Sequence, residues 1–255
     1  LCDMTIFLTS THTKGWAGDL NTANGLADEL RAALTGEIRC LVVTSYPDDT
    51  EITDRMAWEI RECFERADMP FAHYEVLDRR TQRYAARMFR QTNFIILCGG
   101  HVATENRFFK EIRLRQRLEN WDGVMLTISA GSMNSADIVF ATPELEGEAI
   151  DPGFKTYMRG LGLTDINILP HFQTLESMKI DGLRLMEDIV AYHSFMHPVY
   201  CLPDGSYFLI TPERTEMRGL MYRMSDGELK KVCGEGRKKL YKSSQDERKE
   251  LTKQA

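Results

Sequence analysis

Apolar positions follow two different periods along the chain, and these periods predict strands and helices in alternation. Short, mostly apolar runs predict strands at residues 4–9, 38–44, 71–77, 94–98 and 124–128. Apolar residues spaced three or four apart predict helices between them, at residues 24–34, 50–67, 81–90 and 106–118. The run Phe94–Cys98 is apolar throughout, which is typical of a strand that is covered on both faces. The alternation therefore predicts a three-layer α/β fold, with a mostly parallel sheet and helices on both faces.

The pattern changes after Asp188. Short apolar pieces punctuated by Pro-Asp-Gly and Asp-Gly turns predict antiparallel strands at residues 207–211, 219–224 and 229–233, at the edge of the sheet. Residues 236–255 are rich in Lys, Glu, Gln and Ser, which predicts a solvated C-terminal helix or tail. We therefore expect one α/β domain over residues 1–235. Its antiparallel edge would allow pairing with a second copy as a homodimer.

Composition narrows the function classes. The 255 residues carry a formal net charge of −6, which disfavours a general nucleic-acid binder. The six cysteines form no C-x-x-C pair, and nothing else in the sequence indicates a metal site. Several lie in apolar runs, which favours free buried thiols in a reducing compartment. No apolar run approaches the ~20 residues that a membrane span needs, and no signal peptide is visible. We expect a cytoplasmic protein with no membrane partner.

Ser129 is the first candidate for chemistry. It directly follows the predicted strand at residues 124–128 and precedes two small residues, Ala130 and Gly131. This order is typical of a nucleophile elbow, a tight turn that exposes the serine oxygen and directs the next backbone N–H toward the same space. Thr127 replaces the first glycine of the usual G-x-S-x-G pattern. The motif alone also fits a serine that only caps the following helix.

Gly99 and Gly100 follow the neighbouring apolar strand. Ligands of such sheets bind beyond the carboxyl ends of the strands, where Ser129 is also predicted to lie. Glycines there allow the backbone to approach a ligand closely and leave N–H groups for an anion. Taken alone, the two glycines fit an ordinary strand-to-helix turn better than an anion site.

A nucleophilic serine needs a base, and histidine is the usual one because its pKa lies near neutrality. The sequence contains six histidines: His12, His73, His101, His171, His193 and His197. His171 stands out because Pro170-His171-Phe172 follows a short apolar strand predicted at residues 166–169. His12 lies in the first polar loop and could line the pocket.

An acidic group should orient the imidazole. Asp204, in the turn Leu202–Gly205, is one candidate, and Glu144 and Glu146 in the loop after Ser129 are the competitors. Sequence alone leaves these three open.

Four short segments together resemble one family. They are Ile96–Gly100, Ile128–Gly131, Leu169–Phe172 and Leu202–Gly205. In these segments the chain resembles the peptidase family that contains dipeptidase E (alpha-aspartyl dipeptidase) and cyanophycinase. That family has a class I glutamine amidotransferase-like fold and uses serine where the amidotransferases use cysteine.

The resemblance implies a role for each matched residue. Ser129 would be the nucleophile and His171 the general base, and the N–H groups of Gly100 and Ala130 would form the oxyanion hole. Asp204 is favoured as the third member of the triad, although its side chain is shorter than the Glu that is common there. An acidic residue roughly matching Glu144 is the alternative. Neither a metal nor an organic cofactor is implied.

Two positions depart from the family pattern. His101 follows the glycines where the family usually has Asn, and Ser132 stands where it commonly has Ala. Both are expected to line the pocket, so the preference for aspartyl dipeptides is in doubt. An acidic substrate residue would need a cation, for which Arg159 and Arg107 are loose candidates.

The sequence therefore predicts a serine hydrolase that acts on a small peptide through a Ser129 acyl-enzyme. Two rivals remain open. One is a non-catalytic protein that keeps the fold for binding or regulation, and the other is an amidase acting on a non-peptide amide.

Overall fold

The computed structural model describes residues 3–15 and 18–243, with sixteen strands in this part of the chain. The strands are β1 (Thr5–Thr9), β2 (Ile38–Val43), β3 (Phe71–Leu77), β4 (Phe94–Leu97), β5 (Val124–Ile128), β6 (Ile138–Phe140), β7 (Tyr157–Arg159), β8 (Asn167–Leu169), β9 (Lys179–Ile180), β10 (Leu183–Arg184), β11 (Val199–Cys201), β12 (Tyr207–Ile210), β13 (Thr215–Arg218), β14 (Met221–Ser225), β15 (Glu228–Cys233) and β16 (Lys238–Leu240).

The α-helices are α1 (Leu26–Ala33), α2 (Thr50–Arg66), α3 (Ala85–Gln91), α4 (Val102–Glu111), α5 (Leu114–Leu118), α6 (Ala130–Met133), α7 (Phe172–Leu175) and α8 (Ala191–His193). Two 3₁₀ turns (Ala23–Gly25 and Gln82–Tyr84) precede α1 and α3, and a π-helical segment (Leu185–Val190) precedes α8.

An eight-stranded sheet in the order β16-β13-β12-β1-β5-β4-β2-β3 forms the centre of the fold. The five strands from β1 to β3 in this order run parallel, and β12, β13 and β16 add antiparallel pairings at one side. The predicted fold class, a mostly parallel sheet with antiparallel strands near the C-terminus, is confirmed.

The sheet is buried on both faces because its strands carry apolar side chains at successive positions. In β2, Cys40 and Val42 pack with α1 and α2 on one face, whereas Leu41 and Val43 pack with α3 and α4 on the other. Side chains alternate between the faces of a strand, so an uninterrupted apolar run supplies two cores at once. This pattern produces the three layers.

A second sheet, in the order β15-β14-β11-β8, lies against the first through a further apolar cluster. Its strands β8 and β11 are parallel neighbours, so their carboxyl ends point the same way. The N–H of Leu202 donates to the carbonyl of Leu169, and the N–H of Phe172 donates to the carbonyl of Leu202. These bonds join the loops that follow the two strands, which are the loops with the candidate base and acid.

Three segments differ from the sequence predictions. The helix predicted at residues 106–118 is two helices, α4 and α5, separated by Arg113, which has a left-handed backbone with φ of 52°. The antiparallel pieces predicted at the sheet edge divide between two sheets, because β12 joins β1 whereas β14 and β15 belong to the second sheet. In the segment predicted as a C-terminal helix or tail, residues 238–240 form β16, and residues 244–255 lie outside the described part.

The prediction of free buried thiols is confirmed for the five cysteines that the structure describes. Cys40, Cys63, Cys98, Cys201 and Cys233 are free and buried. Burial raises the pKa of the Cys63 thiol to about 11 and that of Cys201 to about 12, so these groups are inert thiols at neutral pH. Over the described residues, no helix has the length and apolarity to cross a bilayer.

Candidate active site

Ser129 and the two glycines lie side by side at the carboxyl edge of the central sheet. Ser129 immediately follows β5, and Gly99 and Gly100 come two and three residues after β4, its parallel neighbour. A Cβ atom added to Gly99 would lie 3.2 Å from the Cβ of Ser129. The sequence prediction that both features share one sheet edge therefore agrees with the structure.

The backbone of Ser129 has an unusual conformation, with φ of 49° and ψ of −108°. Residues with a Cβ rarely adopt it, and such a conformation costs roughly 1–3 kcal/mol. The N–H of Ser129 donates to the carbonyl of Thr9 at 3.1 Å, and its carbonyl accepts from the N–H of Met133 at 3.0 Å. These bonds hold the strained turn between β5 and α6. A plain helix cap would not require this conformation.

Gly131 allows α6 to lie directly against the end of β4. A Cβ atom at this position would lie 2.7 Å from the carbonyl oxygen of Leu97 and 2.9 Å from that of Cys98. Neither backbone atom can move aside cheaply, so a larger residue would displace the turn that contains Ser129. The small residue in the motif is therefore required by packing.

Thr127 and Ser132, the two residues at which the turn departs from the expected patterns, contact each other. Their hydroxyl oxygens are 2.7 Å apart and fully buried, and Ser132 also donates to the carbonyl of Thr9 at 2.7 Å. The expectation that Ser132 lines the pocket is wrong. The first turn of α6 directs its hydroxyl beneath the elbow, where it ties β1 and β5 together.

His171 lies within hydrogen-bond distance of Ser129. It follows β8 with a left-handed backbone, φ of 55°, and begins the turn into α7. Its Nε2 is 3.0 Å from the Ser129 Oγ, and its Nδ1 is 2.7 Å from Oδ1 of Asp204. Serine, imidazole and carboxylate thus form one continuous chain of hydrogen bonds.

Asp204 is held in place by more than the imidazole. The Ser10 hydroxyl donates to Asp204 Oδ1 at 2.6 Å and accepts from the N–H of His171 at 2.8 Å. The N–H of Asp204 donates to Oε1 of Gln173. Burial would raise the pKa of Asp204, but its hydrogen bonds with His171 and Ser10 outweigh burial and hold this pKa below its ordinary value. The carboxylate is therefore ionised at neutral pH.

Sequence reasoning missed Ser10. This residue immediately follows β1, which pairs with β5, so it lies at the same carboxyl edge as Ser129. Ligands bind beyond the carboxyl ends of parallel strands, which is the reason for considering the glycines and Ser129. The same reasoning applies to the residue after β1, so the sequence did contain a signal for Ser10.

The glycine turn offers the second wall of the site. The Ser45 hydroxyl donates to the carbonyl of Gly99, and a Cβ atom at Gly100 would lie 2.5 Å from that hydroxyl oxygen. Ala130 is the first residue of α6, so its N–H is among those that a helix leaves without a backbone partner. Gly100 lines the pocket together with Ser129, and Ala130 directly follows Ser129 in the chain.

Glu144 lies in the same pocket but does not occupy the position of a triad acid. Its Oε2 accepts from the N–H of Val102 at 3.2 Å and is 3.8 Å from Nε2 of His101. The same His101 nitrogen is 2.9 Å from Oε1 of Glu148. Burial raises the pKa of Glu144 to about 7, the largest influence on this group. Of the acids considered from sequence, Asp204 contacts His171 directly and Glu144 contacts the start of α4.

The pocket beside Ser129 has a volume of about 350 Å³. Apart from the residues above, its walls are largely apolar, with Met133, Leu145, Leu175, Met178 and Leu185 among them. It contains His101, as expected from sequence, but neither His12 nor the candidate cations Arg107 and Arg159. Arg159 lines a separate pocket with Arg113 and Arg115. Burial lowers the pKa of His12 to about 4.

Glu105, in α4, is a second feature that the sequence did not reveal. The side chain is fully buried, with Oε2 accepting from Asn134 at 3.1 Å and no partner for Oε1 within residues 3–15 and 18–243. Burial raises the pKa of this carboxyl well above its ordinary value. The folded protein therefore keeps the proton at pH values at which the unfolded chain releases it.

Glu105→Gln is expected to flatten the loss of stability at rising pH. Above the ordinary glutamate pKa the unfolded chain binds fewer protons than the folded protein, so the free energy of unfolding falls by up to about 1.4 kcal/mol per pH unit from this group. Urea denaturation at pH 5, 6, 7 and 8 measures the effect. The difference between variant and wild type should grow with pH in favour of the variant, whereas the exposed control Glu146→Gln should parallel the wild type. If the free energy of unfolding of Glu105→Gln changes with pH as it does in the wild type, the raised pKa of Glu105 is contradicted.

Comparison with known proteins shows which solved structures have a similar fold. No family model matches the sequence, and no curated protein matches it. The solved structures that share the fold include a peptidase from an acI-B1 Actinobacterium and a "Putative Peptidase E Protein" from Listeria monocytogenes EGD-e. The first has a TM-score of 0.65 at 12% identity, covering 93% of this chain and 96% of the other. The second has a TM-score of 0.55 at 12% identity, covering 90% and 98%. The resemblance to the dipeptidase E family is thus confirmed at the level of the fold.

Proposed function

We propose that this protein is a serine-type peptidase that hydrolyses small peptides through an acyl-enzyme on Ser129. The observation that carries the proposal is the hydrogen-bonded chain from the Ser129 Oγ to Nε2 of His171, 3.0 Å, and from Nδ1 of His171 to Asp204, 2.7 Å. A base within about 3 Å of a serine, itself oriented by a carboxylate, is the arrangement that activates a weak nucleophile.

Each group has a defined part in the reaction. His171 accepts the Ser129 proton while Oγ attacks the peptide carbonyl, and Asp204 stabilises the imidazolium that forms. The N–H groups of Gly100 and Ala130 stabilise the oxyanion, each contributing roughly 3–4 kcal/mol in comparable sites. His171 then protonates the departing amine, and a water molecule activated by the same imidazole releases the acid.

Three features support a small peptide as the substrate. The pocket of about 350 Å³ has room for one or two amino-acid residues. Proteins that share the fold are described as peptidases. The strained backbone at Ser129 favours catalysis over a binding-only role, because such strain is concentrated at functional sites.

A fluorophosphonate probe tests the nucleophile. We expect the wild-type protein to be labelled on Ser129 and Ser129→Ala to lose the label, as read by intact-protein mass spectrometry and peptide mapping. Ser225→Ala, at a serine outside the pocket, is the matched control and should retain full labelling. Absence of labelling in the wild type, or equal labelling of Ser129→Ala, would exclude the serine hydrolase.

A further inference from the structure

The two glutamates near Ser129, Glu148 and Glu144, differ in how many hydrogen-bond partners their carboxylates have. Oε1 of Glu148 lies 2.9 Å from His101, and its Oε2 accepts from the N–H groups of Glu144 and Leu145. Among the residues that the structure describes, Glu144 has a single backbone donor, Val102. Its side chain is 30% exposed and lines the pocket. Among the described lining residues there is no lysine or arginine. Glu144 is therefore the carboxylate with capacity left for a ligand.

The incompletely paired carboxylate of Glu144 determines which ligand charge the pocket favours. Burial disfavours the charged form of Glu144 and raises its pKa to about 7. A cation placed beside the carboxylate would favour the ionised form, whereas a second carboxylate would be repelled. The pocket thus disfavours an acidic substrate side chain, because its lining contains no lysine or arginine and its two histidines, His101 and His171, already face Glu148 and Asp204.

Much of the pocket lining is apolar, and we call this part the apolar wall. Leu175 ends α7, Met178 follows it, and Leu185 begins the π-helical segment. Together with Leu145 and Met133 they offer a surface suited to an aliphatic side chain. One carboxylate in a pocket lined largely by apolar side chains matches the amino-terminal residue of a peptide, which has an ammonium group and a side chain on the same Cα.

We propose that Glu144 is a specificity-determining residue that pairs with the free α-ammonium of the substrate, while the apolar wall accepts an uncharged aliphatic amino-terminal side chain. This inference rests on the proposed peptidase function. It assigns a substrate class of peptides with an unblocked, apolar amino terminus, and it excludes an amino-terminal aspartate as the preferred residue.

The test uses the 255-residue protein and four peptides: Leu-Leu, N-acetyl-Leu-Leu, Asp-Leu and N-acetyl-Lys-Leu. Chromatography measures the rate at which the C-terminal leucine is released, and this rate gives kcat/KM for each peptide. The wild type should prefer Leu-Leu over the other three by about 10-fold or more, because only Leu-Leu has both recognised groups. In Glu144→Gln the ratio of Leu-Leu to N-acetyl-Leu-Leu should fall by about 10- to 100-fold. Glu146→Gln, an exposed neighbour in the same loop, should keep the wild-type ratio.

The outcomes separate this inference from the proposed function. A wild type that is labelled at Ser129 but prefers Asp-Leu, or a Glu144→Gln variant that keeps the wild-type ratio, would overturn the inference and leave the serine hydrolase standing. Equal losses on all four peptides would also overturn it, since they would place Glu144 in the structure of the site. A strong, Glu144-dependent preference for N-acetyl-Lys-Leu would show that the carboxylate reads a basic side chain instead. Failure of the fluorophosphonate to label Ser129 would remove the proposed function itself.

Discussion

His171→Ala is expected to lower kcat by about four to six orders of magnitude, with a much smaller change in KM. The imidazole is the group that touches the Ser129 Oγ, at 3.0 Å, and without it the attacking hydroxyl must lose its proton to water. The leaving amine also loses its proton donor. Because both steps involve the transition state and not the bound ground state, the loss should fall on kcat.

Steady-state hydrolysis of Leu-Leu and the rate of fluorophosphonate labelling measure this effect independently of each other. His73→Ala is the matched control, because His73 is exposed on β3 and pairs with Glu75 away from the pocket. It should retain near-wild-type activity. A loss of less than about 10-fold in His171→Ala would show that another group serves as the base. Thermal unfolding of both variants establishes that a loss of activity does not reflect a loss of folded protein.

Much of the sheet could be predicted from sequence because its strands are buried on both faces. β3 and β5 begin and end where the apolar runs do, and β4 differs by one residue. The break between α4 and α5 could not be predicted in this way. It occurs at Arg113, whose left-handed backbone is signalled by neither a glycine nor a proline.

One rule of parallel sheets predicts part of the candidate site from the sequence. Residues that follow parallel strands meet at one edge of the sheet, which brings Ser129, Gly99 and Gly100 together. The same rule applies within the second sheet, where His171 follows β8 and Asp204 follows the parallel strand β11. How the two sheets lie against each other depends on packing between distant segments, and no local pattern encodes it.

The identity of the acid beside His171 therefore depends on this packing. Asp204 and Glu144 both lie in loops near Ser129. Asp204 contacts His171, whereas Glu144 contacts the backbone of Val102, and local sequence does not distinguish these two positions. The direction of Ser132 was missed for a related reason. A residue three positions after the nucleophile points beneath the elbow once the short helix α6 forms.

Asp204→Asn is expected to lower kcat by roughly three to four orders of magnitude. The carboxylate orients the His171 ring through Nδ1 at 2.7 Å and compensates the positive charge that develops on it. Asparagine preserves the shape but removes the charge and presents a donor as readily as an acceptor, so it favours the wrong tautomer of the imidazole. The Ser10 hydroxyl, which donates to the same oxygen, would also lose a charged acceptor.

The peptide panel distinguishes this loss from that of Glu144→Gln. Asp204 acts through the base, so its replacement should slow Leu-Leu and N-acetyl-Leu-Leu by the same factor and leave their ratio unchanged. Glu144 is proposed to act on the ammonium of the substrate, so its replacement should change that ratio. A ratio that moves in Asp204→Asn, or a loss of kcat in Glu144→Gln that equals that of Asp204→Asn on both peptides, would reverse the two assignments and make Glu144 the acid that supports His171.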